Sequence, residues 1–210
     1  MKNTDIPNVF EEKGIHVFTF NDAVRISGKK RSYVRLMLSR MVTKNLIQRA
    51  ERGVYYTKKA SPLEVASNII SPSYVSLMSA LNYHGVTTQM PLVIDVITTK
   101  RHGKLHINGA NSNKIVFRTL KRDRMFGFYR DKNNINIAEL EKAIIDSLYL
   151  NSPSRGELSE AIEKSLNTNK VDVARLREYA ERMGSKALIT RLEVIIKNLM
   201  ADERQMYGRD

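Results

Sequence analysis

The chain has 210 residues, 42% hydrophobic and 27% charged, a composition that can bury a core in one or two domains. It has no cysteine, which excludes disulfides and thiolate-held metals. It has no apolar run of about 18 residues that would cross a membrane, and "MKNTDIPNVFEEKG" has no signal-peptide core, so a cytoplasmic protein is expected.

Lys and Arg number 35 against 22 Asp and Glu, a net charge of +13, which favours polyanionic partners and nucleic acid above all. The excess is concentrated in two blocks. Residues 1–60 hold 13 basic and 5 acidic side chains, and residues 100–132 hold 10 and 2. The intervening 61–99 have no Lys or Arg, and 133–210 are close to balanced.

In chain order, a helix over about Ile6 to Lys13 opens the first block. "TFNDAVRIS" follows, with Thr19 or Asn21 as N-cap and Ala23, Val24 and Ile26 facing inward, until Ser27-Gly28 breaks the helix. "KKRSYVRLMLSRMVTKN" then places Val34, Leu38, Met41 and Val42 on one stripe of an amphipathic helix. Lys29, Lys30, Arg31, Ser32, Tyr33 and Arg35 fall in its first turns and on its other face, with Arg31 and Arg35 four apart and so on one side. Residues 46–57 read as a hairpin turning at Ala50-Glu51-Arg52-Gly53, with Arg49 and Arg52 flanking its tip. Tyr55 and Tyr56 alternate faces, so one should pack on the helical core and the other stay nearer the surface.

Helix, tight turn, basic-starting helix and hairpin are the order of a winged helix-turn-helix. Such a module binds double-stranded DNA through the N-terminal end of its second helix, where free N–H groups and the helix dipole favour phosphate. The DNA-contacting candidates are therefore Lys29, Lys30, Arg31, Ser32, Tyr33, Arg35, Arg49, Arg52 and Lys58. A merely solvated basic face and a protein-docking winged helix are the competing explanations.

Lys58 to Pro62 reads as a linker, which divides the chain into a 1–60 DNA-binding domain and a 61–210 domain. In the second, "SPSYVSLMSALNYHGV" reads as a helix with Val75, Met78 and Leu81 inward, stopped at Gly85. "LVIDVITTK", "KIVFRTL" and "FGFYR" read as strands. Closing helices are marked by Leu140, Ile144 and Leu148, by Leu158, Ile162 and Leu166, by Leu176 and Ala180, and by Leu188, Leu192, Ile195 and Leu199. The fold class expected is α+β: an N-terminal winged helix-turn-helix, then a mixed α/β domain ending in a helical bundle.

"RGVYY" at the end of the hairpin, "SLMSALNYHGVTTQMPLVIDVITTKR" and "ELEKAIIDSL" together resemble the AbiEi antitoxins of bacterial type IV toxin–antitoxin (abortive infection) systems. The resemblance runs over nearly the whole chain and is most specific from Ser79 to Arg101. It implies an N-terminal winged helix that binds inverted repeats upstream of its own operon and represses it. It also implies a C-terminal domain that helps neutralise a nucleotidyltransferase-like toxin; separately, no cofactor is expected. The matching positions are Arg52, Gly53 and Tyr55 in the hairpin, and Ser79, Ala80, Leu81, His84, Gly85, Gln89 and Pro91 in the second motif. The physical account of the latter is structural, with His84 a satisfied, partly buried histidine.

The second basic block nominates Arg101, Lys104, Lys121, Arg122 and Arg124 as a partner surface or a further nucleic-acid contact, against the simpler account of solvated loops. No phosphate loop and no GxGxxG motif is present. His102 and His106 are four apart with Gly103 between them and no carboxylate close in sequence, so no metal site is expected. Asp95 with Lys100, or Glu139 with Lys142, could make a nuclease fragment, but such spacings arise by chance in a charged chain, and a non-enzymatic protein is expected. A stand-alone regulator with a ligand-sensing or dimerising second domain, and a toxin- or nucleic-acid-modifying enzyme, remain as alternatives. With no heptad repeat, the protein is expected to be a monomer in solution, with two copies on the inverted repeats.

Overall fold

The computed structural model describes residues 5–107, 113–152 and 154–207. The chain opens with helix α1 (Asp5–Glu12), the short strand β1 (Val17–Thr19) and helices α2 (Phe20–Ser27) and α3 (Arg31–Thr43), followed by the hairpin β2 (Ile47–Glu51) and β3 (Val54–Thr57). Strand β3 pairs antiparallel with both β1 and β2, so the three form a small sheet in the order β1-β3-β2. Phe10, Phe18, Ala23, Val34, Met37, Leu38, Met41 and Ile47 form one buried cluster beneath the helices, with Phe10 and Phe18 stacked at 4.2 Å.

Local chemistry sets these boundaries. The Thr19 side chain accepts from Asp22 N–H while the Asp22 carboxylate accepts from the Thr19 N–H, a reciprocal cap that starts α2. Gly28, at φ 62°, ends it, its N–H donating to the Val24 carbonyl. Strand β1 is an element the sequence did not predict, since three residues are too few to show a period.

After Thr57 a turn leads to α4 (Pro62–Asn68), capped by the Ser61 side chain with Pro62 at its first position. The second sheet has six strands in the order β6-β7-β5-β4-β9-β8. They are β4 (Ser73–Val75), β5 (Val93–Thr98), β6 (Leu105–Ile107), β7 (Asn113–Thr119), β8 (Phe128–Arg130) and β9 (Asn136–Ala138). Strands β5 and β7 are parallel, as are β4 and β9, and the other pairs are antiparallel, so the sheet is mixed. Helix α5 (Leu77–Tyr83) follows β4, and α6 (Leu140–Leu150), α7 (Arg155–Asn167), α8 (Val173–Arg182) and α9 (Lys186–Tyr207) follow the sheet. The protein is thus a mixed α+β fold. Among the described residues no helix is long and apolar enough to cross a membrane.

Two expectations change. Val75 lies on strand β4, paired with Val96 and Ile137, and the helix begins only at Leu77. Its β-branched neighbourhood between buried strands decided against the helix period. Tyr56, the buried member of the tyrosine pair at 4% exposure, joins the larger second core, whereas Tyr55 stacks on Phe18 of the first. The small sheet therefore has apolar contacts on both faces. Val17 and Ala50 also pack on the second core, His16 Nδ1 lies 3.0 Å from the Glu64 carboxylate, and the Asn134 amide donates to the Gly14 carbonyl.

The second core is close-fitted at Gly127, just before β8. A Cβ built there would stand 2.8 Å from the Tyr179 ring and 3.1 Å from Lys142 Cβ, on backbone at φ +64°. Gly127→Ala should therefore lose about 3 kcal/mol of stability, combining left-handed strain and overpacking. Urea unfolding checks this, and a midpoint within error of the parent would refute the fit.

Candidate nucleic-acid interface

The start of α2, the N-terminal half of α3 and the tip of the β2–β3 hairpin enclose one groove of about 660 Å³. It is lined by Phe20, Arg31, Arg35, Arg49, Arg52, Gly53 and Tyr55, with four guanidinium groups and no carboxylate in the lining. Two pieces of backbone geometry bring helix and hairpin together. The Phe20 N–H donates to the Gly53 carbonyl at 2.8 Å, tying the hairpin tip to the start of α2. Gly53 itself turns at φ +85°, in the left-handed region that lets so short a hairpin close.

Phe20 organises the helical side of the groove. The Arg31 guanidinium lies 4.9 Å from the ring centroid and that of Arg35 6.0 Å, and Arg31 Nη1 also donates to Asn21 Oδ1 at 3.1 Å. A ring face attracts cations and limits the rotamers of long side chains, so both arginines are held toward the groove. On the hairpin side Arg49 Nε donates to the Glu51 carbonyl across a register shift between Arg49 and Glu51. Arg31, Arg35, Arg49 and Arg52 are all exposed, so their charges face water. Helix α3 starts at Arg31 with no side-chain cap from Lys30 and no acidic residue in its first turn, so no carboxylate there offsets the positive end of its dipole.

Of the candidates named from sequence, Arg31, Arg35, Arg49 and Arg52 meet in this groove. Lys29 and Lys30 lie exposed in the turn before α3, and Ser32 and Tyr33 lie exposed on its first turn outside the lining. Lys58 follows β3 at the end away from the tip, beside Lys59, which pairs with Glu11 at 2.6 Å. Phe20 was missed from the sequence. Its signal, an aromatic directly after the N-cap Thr19, is legible only once the hairpin tip is known to close over it.

The second basic block divides between separate elements. Arg101 and Lys104 are exposed in the β5–β6 loop, where His102 Nε2 lies 2.9 Å from the hairpin's Glu51 carboxylate and the His102 ring 4.3 Å from that of Phe117. That loop is thereby held against the hairpin. Lys121 and Arg122 are exposed at a single 3-10 turn after β7. Arg124 instead stacks on Tyr149, at 4.8 Å from the ring, and donates to its hydroxyl. Residues 108–112 of this block lie outside the described residues.

The motif positions carried over in the second domain are scaffold contacts. Ser79 Oγ donates to the Val93 carbonyl and accepts from Asp95 N–H, joining α5 to β5. Ala80 and Leu81 are fully buried. Gly85 ends the helix at φ +70°, and His84 Nε2 lies 2.8 Å from the Ala138 carbonyl. The Gln89 carbonyl accepts from Asn82, and Pro91 lies two residues before β5 rather than starting it. The acid–lysine fragments are engaged elsewhere. Asp95 is buried and paired with Arg118 at 3.0 Å, Glu139 accepts from the Tyr179 hydroxyl, and Lys142 pairs with Asp146. Burial pushes the Asp95 carboxyl up, opposed in part by Arg118. Among the described residues no group of three or more His, Asp or Glu side chains is arranged to hold a metal ion.

Residues 6–58, which span α1 through the hairpin, match the family model described as transcriptional regulator, AbiEi antitoxin. No curated protein matches the chain.

Proposed function

From the premise that residues 6–58 carry an AbiEi-type antitoxin regulator, we propose that this protein is a DNA-binding autorepressor whose N-terminal unit is a winged helix-turn-helix. In this account residues 1–60 are the DNA-binding domain, α3 is the recognition helix and the β2–β3 hairpin is the wing. One strand of the duplex runs past the four-arginine groove, and each guanidinium takes a phosphate. The operator is a pair of inverted repeats upstream of the protein's own operon, and two copies, monomers in solution, occupy its two halves. Residues 61–210 form the antitoxin domain and contribute to neutralising a nucleotidyltransferase-like toxin in the cytoplasm.

The observation that carries the proposal is the groove. Four like charges gathered between a helix start and a hairpin tip, with no carboxylate in the lining to balance them, make a local positive field that attracts an anionic partner. Their spread along two elements suits a backbone of phosphates better than a single small anion. Phosphate contacts supply affinity and register, and sequence is read elsewhere on the helix.

Fluorescence anisotropy with the intact chain tests the reading. A duplex from upstream of its own gene should compete at least about a thousandfold better than a scrambled duplex at ~150 mM salt, the lower bound for specific over non-specific binding. Equal competition by the two duplexes would remove the repressor assignment.

A further inference from the structure

At about 100° per residue, α3 divides into three longitudinal strips. Val34, Met37, Leu38 and Met41 are buried in the small core. Arg31 and Arg35 lie on one flank, turned over Phe20. The strip opposite the core consists of Ser32, Leu36, Ser39 and Thr43, all exposed, and Arg40 borders its other side. This outermost strip has no charged residue, although the chain is basic all around it. Leu36 stands near its centre, 51% exposed, where a solvated helix would carry a charged or amide side chain.

We infer that this neutral strip, centred on Leu36 with Ser32 beside it, reads thymine methyl groups in the major groove, while the arginines at its flank hold phosphates. The inference rests on the DNA-binding proposal above and deepens it by naming the base edge that is read. A recognition helix presents its outer face to the base edges and its flanks to the two backbones. Leu36 is the sixth residue of α3 and Ser32 the second, so they are stacked one turn apart in the N-terminal half that enters the groove. In the major groove the apolar feature is the thymine C5 methyl, whereas a G·C pair would leave polar groups facing Leu36 without a partner. The cationic border argues for DNA over an apolar protein partner, because docking a protein on Leu36 would bring it against Arg31, Arg35 and Arg40 as well.

The test uses the full chain and a duplex enriched from a random pool, made once with thymine and once with deoxyuracil throughout. Wild-type protein should bind the uracil duplex about fourfold more weakly for each methyl that Leu36 covers. Leu36→Ala, whose exposed position leaves the core intact, should bind thymine and uracil duplexes alike. An equal uracil penalty in both proteins would mean that DNA shape, not Leu36, senses the methyls, and would overturn the inference. No penalty in the wild type would overturn it too, while leaving the repressor proposal standing. Failure of the pool to yield any preferred duplex would overturn both.

Discussion

Replacing Arg31, Arg35, Arg49 and Arg52 together by alanine should lower the slope of log Kobs against log salt by about 3.6, since each lost phosphate contact removes about 0.9. Over the span from ~1 M to ~0.15 M salt, this counterion-release term alone makes binding about a thousandfold weaker at the lower concentration, with the curves converging at the higher. Each single substitution should remove about a quarter of the slope change, or about fivefold in affinity near 0.15 M. The four side chains are exposed, so thermal unfolding of the free protein should change little. Relief of mutual repulsion would, if anything, raise it. Own-site and scrambled duplexes should weaken by similar factors, because phosphate contacts carry no sequence information. A variant that loses affinity equally at every salt concentration, with its slope intact, would show that the arginines do not neutralise phosphates.

Arg31 and Arg35 also illustrate how position changes a residue's expected role. From spacing alone they are neighbours on one side of a basic helix, which suits base reading or phosphate binding equally. Their placement over Phe20, with Arg31 donating to Asn21, turns them toward the hairpin and away from the outermost strip. A bidentate guanine contact needs an arginine free to extend along the groove floor. Side chains drawn against a ring at the helix flank suit a backbone contact instead.

The small-sheet unit was largely legible because its signals are local. A capping threonine, a left-handed glycine, an i, i+4 apolar stripe and a glycine turn each act within a few residues, and Thr19, Gly28, Val34, Leu38 and Gly53 mark them. What escaped was set at long range. Strand β1 exists because β3 offers it a ladder, and α4, although capped by Ser61 and begun by Pro62, went unread in the residues that follow the linker. The boundary at residue 60 is also tighter than composition suggests, since Tyr56 and Val17 pack on the second core and Glu51 meets His102. Cutting there would expose those contacts, so the full chain is the object to measure. In the groove, charge and spacing nominated all four arginines, but neither could nominate Phe20, whose role depends on the Gly53 carbonyl reaching its backbone.

The Leu140, Ile144 and Leu148 stripe of "ELEKAIIDSL" predicts one inward face, but helix α6 is buried throughout from Leu140 to Leu148, its charged residues included. Lys142 and Asp146 are both 0% exposed and paired at 2.5 Å, one turn apart. Asp146 also accepts from the Tyr74 and Ser76 hydroxyls at 3.0 and 2.9 Å, and the Lys142 ammonium lies over the Phe126 ring at 4.5 Å. Burial pushes the Asp146 carboxyl up and the Lys142 ammonium down, each opposed by its partner's charge. Breaking such a pair from either side should cost about 3–5 kcal/mol near neutral pH, because it leaves one charge buried alone.

The two halves of this pair predict opposite pH slopes. In Lys142→Met the lone carboxyl holds its proton more tightly folded than unfolded. The variant should therefore be most stable at low pH and lose stability as pH rises from about 4 toward the raised folded value. In Asp146→Asn the amide can still accept from Tyr74 and Ser76, and the lone ammonium gives up its proton more readily folded than unfolded. That variant should gain up to about 1.4 kcal/mol per pH unit between its lowered folded value and about 10.4. Urea midpoints at about pH 5, 7 and 9 distinguish the two. Parallel slopes in both variants would mean that the remaining group is not held buried and alone in either, and would refute this account of the pair.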